Sequence, residues 1–214
     1  MGEAPLSAAP EGGAAGLDAL LATKLHIPRT RDGLVPRPRL AEWLTEALAG
    51  ELTVVCAPAG FGKTMVLADW ARRSGRPVAW LSLDTGDNDP VRFWRHVAAA
   101  LGSAREGAGQ PLTDLLGPPA RSLEAVVTAL VNDLAAVPGV VVLVLDDYHL
   151  IEAAAVHESV AFLLENLPPG LRVVMSGRAD PPLPLARLRA GGRLAELRAD
   201  DLRFTHGRGG GAAA

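Results

Sequence analysis

Val140–Leu145 is a run of six consecutive β-favouring apolar residues, and Asp146-Asp147 follow it at once. A strand with one wet face alternates apolar and polar residues. An unbroken apolar run buries both faces, as in an inner strand of a parallel sheet covered by helices on each side. The run is too short to cross a bilayer, which takes ~20 residues. Leu52–Cys56, Val78–Leu83 and Leu171–Ser176 read as further strands, and Leu194–Arg198 as a weaker one. Helical patterns fall between them: Lys63–Ser74, then Pro90–Leu101 with Phe93, Val97 and Leu101 on one stripe. Ser122 caps another helix to about Val137, and Val156–Leu167 and Leu183–Arg189 complete the set. This alternation predicts an α/β domain, a parallel five-stranded sheet flanked by helices and joined by right-handed crossovers.

The segment Ala57-Pro58-Ala59-Gly60-Phe61-Gly62-Lys63-Thr64 leaves one predicted strand and opens a helix. It fits the phosphate-binding pattern G-x-x-x-x-G-K-[ST], with Ala57 in place of the first glycine. Glycines at 60 and 62 let the backbone approach a phosphate closely enough for its N–H groups to curl around it. The helix N-terminus adds partial positive charge at the same point. The expected nucleotide-binding set is therefore Ala59, Gly60, Phe61, Gly62, Lys63, Thr64 and Met65. Lys63 reaches the β- and γ-phosphates, and the Thr64 hydroxyl coordinates Mg²⁺. This is the signature of a P-loop NTPase, and the expected ligands are ATP or ADP with Mg²⁺.

A phosphate loop needs a carboxylate for the metal at the end of a nearby strand. Asp146 is expected to hold Mg²⁺, and Asp147 to act as general base toward the attacking water. Ser176 and Arg178 end the Leu171–Ser176 strand. They face the γ-phosphate if that strand lies between the phosphate-loop strand and the Asp146 strand. An exposed loop arginine is the plainer reading of Arg178.

Other features narrow the class. Hydrophobic residues make up 49%, and 21 basic against 24 acidic side chains leave a net charge of −3. That balance lacks the strongly basic surface of a nucleic-acid binder, so no direct nucleic-acid contact is expected. Cys56 is the one cysteine of the chain. It permits no internal disulfide and reads as a buried strand residue, since no cationic neighbour in sequence marks it as a nucleophile. With no basic-then-apolar leader at the start, a cytoplasmic protein without a membrane partner is expected. Trp43, Trp70, Trp80 and Trp94 read as core. Residues 1–20 and 206–214 read as disordered Gly/Ala-rich tails around a 21–205 nucleotide-binding domain. The four glycines and three prolines of Gly102–Pro119 are expected to break any helix and make 102–121 a flexible insert.

In this order, LATKLHIPRTRDGLVPRPRL (Leu21–Leu40), APAGFGKT, WLSLDTGDNDPVRFWRHV, VLVLDDYHLI and SGRADPPLPLARLRA resemble one family. It is the nucleotide-binding domain of the large MalT-like LuxR-type transcriptional regulators, which are signal-transduction ATPases with numerous domains. The resemblance covers about residues 20–205 and implies the strand order 5-1-4-3-2. It also implies a switch: ADP keeps such proteins monomeric, ATP with an inducer lets them self-associate and activate transcription, and slow hydrolysis resets them. Arg37, in Val35-Pro36-Arg37, matches a family arginine near the nucleotide; stiffening of a linker by Pro36 and Pro38 explains the same segment. Arg178 matches the family's sensor position. Asp84, Asp87 and Asn88 match a family-typical loop, but strand termination and capping of the next helix by Asn88 or Asp89, with Pro90 at its first position, is the favoured explanation. Full-length relatives carry DNA-binding and sensor domains beyond this region. None is read here, so a truncated member is expected. A small-molecule kinase and an inert fragment remain the alternatives; a kinase lid would carry clustered arginines, and Gly102–Pro119 has only Arg105.

Overall fold

The computed structural model describes residues 22–29, 36–116, 121–136 and 138–203. The two tails, Val35, Phe204 and Thr205 lie outside them, as do residues 117–120 of the insert. Five strands form one all-parallel sheet: β1 (Leu52–Cys56), β2 (Val78–Ser82), β3 (Val141–Asp146), β4 (Leu171–Gly177) and β5 (Leu194–Arg198). Their order is β2-β3-β4-β1-β5, the predicted order read from the opposite edge. Seven α-helices accompany them: α1 (Pro38–Ala47), α2 (Lys63–Arg73), α3 (Pro90–Ala104), α4 (Gln110–Leu115), α5 (Leu123–Ala136), α6 (Ala154–Glu165) and α7 (Leu185–Ala190).

Both faces of the sheet are covered, as the unbroken apolar run of β3 requires. Val141, Leu143 and Leu145 join Leu52, Val54, Leu81, Val173 and Met175 in a core shared with α3 to α7. Val142 and Val144 turn the other way and pack with Val55, Trp80 and Val174 against Leu40, Leu44, Leu67 and Trp70 of α1 and α2. The two-residue period of a strand divides one sequence run between two cores.

The termini of several helices follow from local chemistry. Ser122 Oγ accepts from Ala125 N at the start of α5. Asp89 Oδ1 accepts from Arg92 N, with Pro90 opening α3, so Asp89 rather than Asn88 caps that helix. Pro184 precedes α7, which begins at Leu185.

Three expectations need correction. Gly102–Pro119 does not exclude helix: α3 continues through Gly102 to Ala104, and α4 forms within the segment, with Gly109 in the left-handed conformation just before it. The gain that outweighs the helix breakers is burial, since Ala108, Leu112 and Leu116 enter the larger core. Trp70, Trp80 and Trp94 are fully buried, but Trp43 is half-buried at the margin of the α1–α2 core. Cys56 is also half-buried, at the end of its strand, with Arg198 and Asp180 beside it. A cation is thus present, though from the far end of the chain. Burial and Asp180 nevertheless outweigh Arg198 and raise the thiol pKa, which disfavours the thiolate.

Candidate functional site

The parallel register brings the C-terminal ends of all five strands to one edge. Cys56 of β1 stands opposite Gly177 of β4 and Arg198 of β5, and Ser82 of β2 opposite Asp146 of β3. In open parallel sheets, ligands bind outside these carboxyl ends where the strand order reverses, here between β1 and its neighbours.

The loop leaving β1 is shaped by two glycines. Gly60 and Gly62 have φ of 84° and 78°, a left-handed conformation that side chains disfavour. A Cβ at either would meet nothing within 4 Å, so the requirement is for backbone conformation and not for space. Ala57 is buried and its N–H donates to Gly177 O (3.2 Å), tying the loop to β4. Alanine is accommodated at the departure from the motif. Ala59 and Gly60 are exposed; Phe61 and Met65 are half-buried. Lys63 is buried, and its Nζ donates to Ala57 O (2.7 Å) and Pro58 O (3.1 Å) within the loop itself.

At the head of α2, Thr64 Oγ1 donates to Asp146 Oδ1 (3.2 Å). The same carboxylate oxygen accepts from Ser176 Oγ on β4, and Ser176 Oγ in turn accepts the Asp147 N–H (3.1 Å). Asp146 is 2% exposed; burial raises its pKa, Ser176 opposes that shift and Asp147 adds to it. A threonine hydroxyl and a buried carboxylate meeting beside the glycine-shaped loop form a donor set of the hard oxygen type that suits Mg²⁺. The described residues therefore fit a Mg²⁺–nucleotide.

Asp147 has φ of 61°, and among the described residues no other non-glycine has a positive φ. Its conformation turns the chain sharply out of β3 into a 3₁₀ turn at Tyr148–Leu150. The next polar side chain is His149, whose Nδ1 lies 3.7 Å from Asp147 Oδ1. Neither ring nitrogen of His149 has a hydrogen-bond partner, although both are shielded from solvent. Burial lowers its pKa; Asp147 opposes the shift, while Arg178 and Lys63 reinforce it, so all three charges reach the ring. No sequence motif marks His149. The signal that it belongs to this site is its place two residues beyond Asp147. Gly177 leaves room for this packing: a Cβ there would lie 3.1 Å from Ala179 O and 3.7 Å from His149 Cβ.

Because β4 does lie between β1 and β3, Ser176 and Arg178 stand at the same edge as the phosphate loop. Ser176 is buried and hydrogen-bonded; Arg178 is exposed just beyond the strand end. Arg37, preceding α1, instead donates from Nη1 to Leu202 O (2.7 Å), joining the start of the domain to the segment after β5. Burial and neighbouring Arg39 lower its pKa.

A second polar cluster gathers around Asp84 and Asp87, which the sequence marked only as a family-like loop or helix cap. Asp84 and Asp87 form a reciprocal capping box around the Thr85–Asn88 turn. Asp87 is fully buried and also binds Lys24 and His96 (2.7 Å to Nδ1). Burial pushes its carboxyl up, but these partners and the Asp84 N–H prevail and hold it at about 2. The partners lie far apart in sequence, so no local pattern announces the cluster.

Comparison with known proteins agrees with this geometry. The AAA domain family model matches residues 48–180. The chain is similar to the HTH-type transcriptional regulator MalT of Cronobacter sakazakii, 35% identical over 189 residues. It is also similar to MalT of Yersinia enterocolitica, 36% identical over 189 residues. Each alignment covers 87% of this chain and 21% of the relative, so the chain spans about a fifth of the length of these curated relatives. A crystal structure of a signal transduction ATPase with numerous domains from Pyrococcus horikoshii, with a tetratricopeptide repeat sensor, superposes with a TM-score of 0.52 at 14% identity. It covers 80% of this chain and 24% of that one, and supports the fold alone. Among the described residues no helix is long and apolar enough to cross a membrane.

Proposed function

This chain belongs to the AAA domain family, and from that membership we propose that it is the ATP- and ADP-binding switch domain of a MalT-like transcriptional regulator, resetting itself by slow Mg²⁺-dependent hydrolysis. The observation that carries the proposal is the meeting of Thr64, Asp146 and Ser176 beside the Gly60–Gly62 loop, with Asp147 at the same edge. The backbone N–H groups from Gly60 to Thr64 receive the β-phosphate, and Lys63 exchanges its loop carbonyls for β- and γ-phosphate oxygens. When bound, Mg²⁺ supplies positive charge to the phosphate oxygens, held by Thr64 and Asp146. Asp147 takes a proton from the water whose oxygen attacks the γ-phosphorus, as the bond to the ADP oxygen breaks. His149 orients the Asp147 carboxylate, and Arg178 approaches the γ-phosphate, reporting whether it is present. Arg37, which ties the start of α1 to the segment after β5, is proposed to contact the nucleotide as well. Self-association and DNA contact belong to the longer relatives and are proposed for this chain only as part of such a protein.

The test is equilibrium binding of ATP and ADP with and without Mg²⁺, with turnover of the bound ATP followed in the same samples, for the parent chain and Lys63→Ala. The switch reading expects tight ADP retention, slow turnover and loss of affinity in Lys63→Ala by about tenfold or more. Rapid turnover that depends on an added small-molecule acceptor would instead identify a kinase. Absence of binding by a folded chain would remove the nucleotide role.

A further inference from the structure

Asn88 closes the Thr85–Asn88 turn, and its side chain reaches across to the segment that follows Asp147. The amide nitrogen donates to Thr85 O (3.0 Å) and Leu150 O (3.0 Å). The amide oxygen accepts from Glu152 N (2.6 Å) and Ala153 N (2.8 Å). Both donors and both acceptor positions of one side chain are thus used, three of them on residues 150–153. Aspartate has no N–H to offer Leu150, and alanine offers nothing.

Those residues need an outside grip. Asp147 holds a left-handed conformation that is unfavourable for a residue with a side chain, and such conformations persist only where the surroundings over-determine them. Upstream, Ser176 Oγ accepts the Asp147 N–H. Downstream, α6 starts at Ala154, and Ala153 at its N-cap position has no side chain to cap it. Asn88 supplies that cap from 65 residues away in sequence. The turn that carries Asn88 is in turn anchored by buried Asp87 on Lys24 and His96.

We propose that Asn88 is a positioning residue that holds Asp147 and His149 at the phosphate edge by clamping Leu150–Ala153. The assignment of a catalytic role to that segment rests on the hydrolysis reading above. The clamp itself does not.

The test uses Asn88→Ala and Asn88→Asp in the full chain, with amide hydrogen exchange and ATP turnover as paired measurements. Asn88→Asp keeps an oxygen for the Glu152 and Ala153 N–H groups, so α6 stays capped, but sets a carboxylate oxygen against the Leu150 carbonyl. Exchange in peptides covering 147–153 is expected to quicken by about tenfold in both variants, with 57–64 unchanged. Turnover at saturating ATP is expected to fall about tenfold, with KM within about threefold of the parent. If Asn88→Ala does not fold, Asn88→Asp carries the test. Unchanged exchange across 147–153 in Asn88→Asp overturns the proposal. So does turnover that falls only in proportion to the loss of folded protein. If the parent turns over no ATP, the hydrolysis reading fails, and exchange across 147–153 still decides the clamp.

Discussion

The Thr64 hydroxyl donates to Asp146 Oδ1 across 3.2 Å, although the two residues are 82 positions apart. One opens α2 after the phosphate loop and the other closes β3, with β4 between their strands. In the proposed reading, this hydroxyl–carboxylate pair holds the cation against the nucleotide.

Thr64→Ala should therefore separate metal-dependent from metal-independent binding. ATP affinity in Mg²⁺ is expected to fall about tenfold, while ADP affinity in chelator changes less than about threefold. Fluorescent-nucleotide titrations in both conditions check this. The single neutral hydrogen bond lost should lower stability by only ~1 kcal/mol.

Gly62→Ala meets no steric obstacle, yet φ of 78° is costly for alanine. A stability loss of ~1–2 kcal/mol is expected from denaturant melts. Nucleotide affinity should fall further than stability does, because the N–H groups that receive the phosphate depend on this conformation. Equal affinity in a folded Gly62→Ala chain would argue against the loop as the phosphate site.

Asp87 links stability to acid pH. Its folded pKa is depressed to about 2, so the unfolded chain binds the proton more readily. The resulting ~2 kcal/mol of stability is fully present above the ordinary carboxylate range near pH 4, and is lost as pH falls toward 2. Asp87→Asn should unfold more easily by ~3 kcal/mol at pH 7, since Lys24 and His96 lose their buried partner. Its stability should also vary less between pH 4 and 2. Urea melts across this range provide both numbers.

Leu112 tests whether the glycine- and proline-rich segment belongs to the core. It is fully buried, so Leu112→Ala is expected to cost ~2–4 kcal/mol. A change below ~0.5 kcal/mol would mean that α4 does not pack in solution as described.

Some of this was readable from short stretches of chain. Val140–Leu145 announced a doubly covered strand, and its residues divide between the two cores. The 57–64 loop showed its glycines, lysine and threonine at spacings that only a strand–loop–helix can use. Asp89 and Pro90 announced the start of α3. Where local signals misled, a long-range term prevailed: burial of Leu112 over the breakers around α4, and the position of Arg198 and Asp180 beside Cys56. His149 carries no motif of its own, since its meaning lies in the turn made by Asp147.

The linear chain thus specified what depends on neighbours in sequence: element type from periodicity, helix starts from caps, and the phosphate loop from fixed spacing. Tertiary structure specified the rest. Placing β4 between β1 and β3 sets Ser176 against Asp146, packing of the turns sets Asn88 against Leu150–Ala153, and burial brings Lys24 and His96 onto Asp87. Such contacts join residues whose separation along the chain carries no period. They become favourable only when the folded sheet has already met the entropy of bringing them together.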